Sequence, residues 1–387
     1  MTYRTARRRA IGLASSIALV GALAAAGTSS QAAPPAGATP SQQQHHFWDA
    51  LDLKPGSGDT WTRLRDNLAW QDEGAHDERV QRWIDHYRES PQNVAEITER
   101  ARPWMAWIIE QVEARDLPGE IALIPFVESS FDPSARSHRG AAGLWQFMPG
   151  TGDALGLQRQ RGYDGRLDVV ASTRAALDYI ELQADQWYDG DLELALAAYN
   201  AGAGTVNRAR RAAGSRGEPS DYWHLRLPNE TMQYVPKLHA IAAIIAEPEA
   251  YGIELPEIDD TPAFAKIPVD APLDLGQLAN QAGVSQSELA ALNPGITNGA
   301  AHPSTAEVVL VPAEREEVVL ARLSTPKPET TQGGGEQHLV QQGDSLSSIA
   351  SRYGISVAEL RQHNGLNGDV IREGQTLEVP HRSLASR

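Results

Sequence analysis

Residues 125–148 read PFVESSFDPSARSHRGAAGLWQFM, and a single carboxylate, Glu128, closes the apolar run IALIPFV. A carboxyl held against apolar side chains loses hydration in its charged form, which raises its pKa. A group tuned in this way keeps its proton near neutral pH and can donate it to a departing oxygen as a general acid. On a continuous helix, Ile124 and Phe131 would lie four before and three after Glu128 on one face and supply the apolar wall. A bare salt bridge or helix-end cap is the competing reading of one Glu after an apolar run. No partner acid stands out: Asp132 in FDPSA reads as a turn cap, and Asp164 and Asp168 in YDGRLD read as partners of Arg166. These three are the alternative nucleophiles if the chemistry is hydrolysis.

The elements that must position Glu128 are helical. ERVQRWIDHYRE, WMAWIIEQVEA, TRAALDYIELQADQWY and LHAIAAIIAE each repeat apolar residues three and four apart, and DLPGE, YDGD and AGAG supply stops. These signals define an all-helical domain over residues 47–255, without alternating strands. Trp104 and Trp107 fall at helical spacing and read as core. Beyond Gly252 an internal repeat appears: DLGQLANQAGVSQSELAALNPGI from Asp274 aligns without a gap on SLSSIASRYGISVAELRQHNGLN from Ser345. Each copy has an extended segment, two helical segments and a closing extended segment, which predicts small β-α-α-β modules over 262–313 and 337–381. A linker of Pro, Thr and Gly at 323–336 separates them.

Composition limits the function classes. The 387 residues carry a formal charge of −16, opposite to the basic face that a nucleic-acid binder needs. Four arginines followed by an apolar stretch of about sixteen residues and a small-residue segment read as a signal peptide over 1–32, shorter than the roughly 20 residues of a membrane span. A flexible leader follows over 33–46. With no cysteine, the chain lacks disulfides, thiolate metal sites and an acyl-anchor cysteine, and its histidines form no HExxH pattern. No cofactor or metal is expected, the mature chain is expected to be periplasmic or secreted without a transmembrane segment, and a monomer is favoured.

Four blocks carry a family resemblance: ESSFDPSARSHRGAAGLWQF, YDGRLDVVASTRAALDYI, ALAAYNAGAGTV and ETMQYVPKLHA, in this order over roughly 110 residues. Together they resemble the soluble lytic transglycosylase catalytic domain with its lysozyme-like helical fold. The second repeat, LVQQGDSLSSIASRYGISVAELRQHNGL with IREGQTLEVP, resembles the LysM module, and the first looks like a diverged copy with APLDL in place of GDSL. The arrangement as a whole resembles the membrane-bound lytic murein transglycosylase D group. The implied fold is mainly α, a lysozyme-like helical catalytic domain followed by two LysM-type modules.

The resemblance implies cleavage of the bond from N-acetylmuramic acid to N-acetylglucosamine in peptidoglycan strands, with Glu128 first as acid and then as base. The product is a 1,6-anhydro sugar. It also implies substrate contacts for Ser129, Ser137, Gln146, Tyr199, Asn200 and Tyr234, whose amides and hydroxyls suit N-acetyl and hydroxyl groups. A non-catalytic cell-wall scaffold, a hydrolytic muramidase and a chitin-directed enzyme are the alternatives.

Overall fold

The computed structural model describes residues 58–70, 76–324, 336–366 and 368–379. The expected signal peptide and leader, and most of the linker, lie outside the described residues. Two compact units are present, divided after Val319.

The first unit opens with α1 (Thr60–Asp66), α2 (Glu78–Arg88), α3 (Pro91–Arg100) and α4 (Met105–Glu113). Asp59 and Asp77 start α1 and α2 by accepting the backbone N–H groups of Thr62 and Arg79, which would otherwise be unpaired. Along α2, Val80, Ile84 and Tyr87 are buried at spacings of four and three. A 3-10 turn at Gly119–Leu123 feeds α5 (Ile124–Ser129), and α6 (Pro149–Ala154) follows. Next come α7 (Val169–Trp187), α8 (Leu192–Ala201), α9 (Ala203–Arg216) and the long α10 (Asn229–Ala246). Through α10, Val235, Leu238, Ile241, Ile244 and Ile245 are buried, so this helix is the spine on which the others pack. The periodic segments of the sequence all fall on these helices.

A small antiparallel hairpin was absent from the sequence expectation. β1 (Arg159–Gln160) pairs with β2 (Tyr163–Asp164) between α6 and α7. Two residues a side carry no alternating pattern, and its partners come from far along the chain, so local sequence does not announce it.

The first repeat also belongs to this unit. Its strands β3 (Phe264–Pro268) and β6 (Val308–Pro312) are antiparallel, with Phe264 opposite Pro312 and Pro268 opposite Val308. Between them lie β4 (Leu273–Asp274), α11 (Leu275–Ala282), α12 (Gln286–Leu292) and β5 (Ala300–Ala301). After α13 (Glu316–Ser324), the second unit contains β7 (Glu336–Leu339), α14 (Leu346–Tyr353), α15 (Val357–His363) and β8 (Thr376–Val379), with β7 and β8 paired. Both copies therefore have the expected β-α-α-β order, and both start their second helix with a capping box, Ser285 with Glu288 and Ser356 with Glu359.

The first copy is not an independent bead. Phe264, Leu292 and Leu310 are part of the helical core, whereas Tyr163 of β2 is buried in the module's own core. Trp104 and Trp107 are core residues as expected, and their ring centroids lie 5.8 and 5.6 Å from that of Phe264. The connector before β3 is pinned as well: Thr60 N donates to Ile258 O at 2.9 Å and Trp61 Nε1 to Pro256 O at 2.7 Å.

Candidate active site

Glu128 is the penultimate residue of α5. This helix buries Ile124, Pro125 and Phe126 and ends when Ser130 and then Phe131 enter the left-handed region, with φ of 52° and 57°. Two successive non-glycine residues there are strained, at a cost of about 1–3 kcal/mol each. The turn is held by Phe131 N donating to Pro125 O at 3.1 Å, by Arg100 Nε donating to Ser130 O at 2.8 Å, and by burial of the Phe131 ring. Phe131 therefore leaves the helix and does not share its face with Ile124 and Glu128, a correction to the expected continuous helix. The stop leaves Glu128 half-buried at the helix end.

The Glu128 carboxyl accepts a 2.7 Å hydrogen bond on Oε1 from the hydroxyl of Tyr234, a buried residue of α10. Loss of hydration pushes the Glu128 pKa up to about 7, and nearby Glu230 adds to the rise. The Tyr234 hydrogen bond and the charge of Lys237 act in the opposite direction. Lys237 is itself partly desolvated, which lowers its pKa, and its ammonium sits 4.6 Å from the centroid of the Trp83 ring. Glu230, Tyr234 and Lys237 occupy one face of α10 at spacings of four and three. That spacing is legible in ETMQYVPK, but nothing local says that the face meets Glu128.

The segment from Ala135 to Phe147 wraps beside the helix end. Ser129 Oγ donates to Leu144 O at 2.9 Å and to Pro125 O at 3.1 Å, so this hydroxyl ties α5 to the segment and does not bond Glu128. Tyr199 Oη, on α8, donates to Trp145 O at 2.6 Å. Gln146, with φ of 46°, donates its amide to Gly143 O at 2.8 Å and to Ala135 O at 3.3 Å. Trp145 is fully buried, with its indole N–H on Thr173 Oγ1 at 2.8 Å. Ser137 is exposed, and its hydroxyl accepts from Ala141 N at 2.9 Å. Asn200 Oδ1 accepts from Thr231 Oγ1 at 2.8 Å, linking α8 to the start of α10. Of the residues named from sequence, Tyr234 alone is hydrogen-bonded to Glu128. Ser129, Gln146 and Tyr199 hold the adjoining segment, Asn200 joins the two helices that carry the tyrosines, and Ser137 stays on an outer turn.

A buried arginine clamps this segment from below. Arg166 is 4% exposed and gives Nη1 to Gly140 O at 2.6 Å and to Phe147 O at 3.1 Å. Its other nitrogens bind Asp164, Nε to Oδ1 at 3.0 Å and Nη2 to Oδ2 at 2.9 Å. Gly143, with φ of +83°, packs so tightly that a Cβ would overlap the Arg166 carbonyl oxygen. The three alternative carboxylates are thus engaged. Asp164 holds Arg166. Asp168 caps α7 through Ala171 N at 2.9 Å and accepts from Tyr163 Oη at 2.9 Å. Asp132 accepts from Ser134 N at 2.8 Å and from its hydroxyl at 2.7 Å. A cavity of about 340 Å³ lies elsewhere, between α7 and the first module, bordered by Tyr163, Asp168, Arg174, Thr305 and Glu307. It involves neither Glu128 nor Tyr234.

Comparison with known proteins identifies the domains. Residues 105–221 match the family described as Transglycosylase SLT domain, 338–380 the LysM domain, and 263–327 the Lytic transglycosylase MltD, LysM-like domain. The chain is 38% identical over 348 residues to "Membrane-bound lytic murein transglycosylase D" of Escherichia coli K12, covering 88% of this chain and 76% of that one. It is also 38% identical over 171 residues to a "Putative tributyltin chloride resistance protein" of an Alteromonas species, covering 44% and 80% of the two chains. Among solved structures, an inactive mutant of lytic transglycosylase Slt from Pseudomonas aeruginosa matches with a TM-score of 0.29 and 21% identity, over 55% of this chain and 41% of that one. With the similarity extending through the helical domain into both modules, the chain belongs to the membrane-bound lytic murein transglycosylase D family.

Proposed function

We propose that this enzyme is a peptidoglycan lytic transglycosylase in which Glu128 serves as acid and then as base. The protonated carboxyl donates to the glycosidic oxygen as the bond from the muramic acid C1 breaks, and N-acetylglucosamine leaves with its hydroxyl restored. The carboxylate then removes the proton from the muramic acid 6-hydroxyl as that oxygen bonds to C1. The product is a 1,6-anhydro end, the carboxyl is again protonated, and no water is consumed. Tyr234 steadies the carboxylate between the two steps. Gln146, Ser129 and Tyr199 keep the neighbouring segment in place, and Asn200 ties α8 to the start of α10. The observation that carries this reading is a half-buried carboxyl with a pKa of about 7, bonded by a buried tyrosine, while Asp132, Asp164 and Asp168 are engaged in caps and an ion pair.

The second unit is assigned to glycan binding on the strength of its LysM match. An exported, cell-wall-facing location suits the basic-then-apolar head of the sequence, and the 387 residues contain no cysteine to acylate. Mass spectrometry of digested sacculi, with wild type and Glu128→Gln side by side, tests the chemistry. Wild type is expected to release anhydro ends, and the variant to lose at least about 100-fold in turnover, within the range for removing a general acid. Reducing ends from wild type would make the enzyme a hydrolase, and undiminished turnover in the variant would remove Glu128 from the mechanism.

A further inference from the structure

We propose that the first module acts as a brace for the segment beside Glu128, through a loop longer than its counterpart in the second module. This rests on the reading of Glu128 as the reacting group. The two copies use one asparagine clip in the same way. Asn293 exchanges two hydrogen bonds of 2.8 Å with the backbone of Leu310, and Asn364 does the same with Glu378. The clips span 17 residues in the first copy and 14 in the second, so the first loop is three residues longer. In the second copy, Val370 of the equivalent loop is 84% exposed.

The longer loop lies on the β1–β2 hairpin. Gly295 O accepts from Asp164 N at 2.9 Å, Thr297 N donates to Gly162 O at 2.9 Å, and Tyr163 pairs with Ile296. Gly162 has a φ of +89°, and the Asn298 amide covers the place where its Cβ would be. Gly295 is pressed against the backbone of Asp168, where a Cβ would stand 3.0 Å from the amide nitrogen. The module thus fixes the backbone of Asp164, the residue that holds Arg166. Arg166 in turn holds Gly140 O and Phe147 O, the two ends of the stretch whose Leu144 carbonyl receives Ser129 and whose Trp145 carbonyl receives Tyr199. Four linked contacts connect the module to the residue after Glu128: Gly295 to Asp164, Asp164 to Arg166, Arg166 to the 140–147 stretch, and Leu144 O to Ser129. Gly295, Thr297 and Asn298 are therefore positioning residues, acting through Asp164 and Arg166.

The test is made in the full chain with Gly295→Val and Thr297→Pro, assayed on soluble peptidoglycan oligomers so that wall binding does not enter. We expect kcat to fall by about tenfold or more with KM within twofold, in the range that misplacement remote from the chemistry produces. Binding to sacculi is expected to persist, and amide exchange to rise at residues 140–147 and 162–164 but not across α10. Thr297→Ser, which keeps the N–H, is expected to behave as wild type. If Gly295→Val does not fold, Gly295→Ala asks Asp168 to yield by only a few tenths of an ångström and is expected to reduce kcat by about threefold. Unchanged kcat with raised exchange at 162–164 would overturn the proposal, as would loss of sacculus binding with kcat intact, which would make the module a glycan grip. Glu128→Gln on the same oligomers separates the two ideas. If it retains turnover, the assignment of Glu128 has failed; if it is inactive while Gly295→Val keeps full kcat, the brace alone has failed.

Discussion

In the proposed mechanism Glu128 holds a proton near neutral pH, gives it up, and takes another back. Burial and Glu230 favour the protonated form, whereas the Tyr234 hydroxyl and Lys237 favour the carboxylate, and the balance lies at about 7. An acid works in its protonated state, so kcat/KM is expected to fall as pH rises above about 7, approaching tenfold per unit. Tyr234→Phe removes a hydrogen bond that favours the charged form. Its alkaline limb is therefore expected to move to higher pH, and kcat to fall by about tenfold, because bonds to charged groups contribute about 1.5–3 kcal/mol. A pH–rate profile of this variant with an unmoved alkaline limb would place the titration on another group. The sequence marked Glu128 and Tyr234, since both lie in recognisable blocks, but Lys237 and Glu230 were missed because they influence the carboxyl only once α10 is packed beside α5.

At the scale of elements, the site depends on how α5 stops and how the following segment is held. The left-handed pair Ser130–Phe131 ends the helix, and Arg166 gathers the carbonyls at both ends of residues 140–147. Gly143 is the tightest point, since an alanine there would meet the Arg166 carbonyl while adopting a φ of +83°. Gly143→Ala is expected to cost about 2–4 kcal/mol in urea denaturation, the range for a strained core substitution, and to lower turnover by about 100-fold. Gly150→Ala, in α6 with open space around its Cβ, is expected to be neutral or to gain about 0.5–1 kcal/mol. Similar behaviour of the two variants would mean that the close approach at Gly143 is unimportant. The importance of glycine at 143 was visible in the GLWQ block, but its physical cause, the carbonyl of a residue twenty-three positions later, was not.

Across the whole molecule, two copies of one module have diverged in surroundings. The first shares its core with the helices through Phe264, Leu292 and Leu310, and the second has its own core of Val340, Leu346, Ile349, Leu360, Leu377 and Val379. The second also builds a polar cluster that the first lacks, with His338 between Asp344 at 2.8 Å and Tyr353 at 3.0 Å, where the first has Ile267, Leu273 and Ala282. Deleting residues 325–387 is expected to leave turnover of soluble oligomers within twofold of wild type. Retention on sacculi is expected to fall at least about tenfold, because a tethered binding module raises effective concentration without touching the chemistry. Unchanged retention in a pull-down would move glycan binding to another part of the chain.

Periodicity determined the helices, and blocks of ordered residues determined the family and singled out Glu128 as the candidate acid, because each of these is encoded over a few turns of chain or by identity at fixed spacing. The repeat was equally plain, since two copies share an offset over more than twenty residues. Tertiary structure alone decided which tyrosine reaches Glu128: the Tyr234 bond closes a separation of 106 residues, and sequence offered Tyr199 and Tyr234 on equal terms. It also decided that Ser129 would secure a neighbouring carbonyl, that residues 159–164 would form a hairpin, and that the first module would join the helical core. Local sequence specifies which face an element must bury. What that face is buried against depends on the joint packing of distant elements, and the groups of this site become neighbours only through that packing.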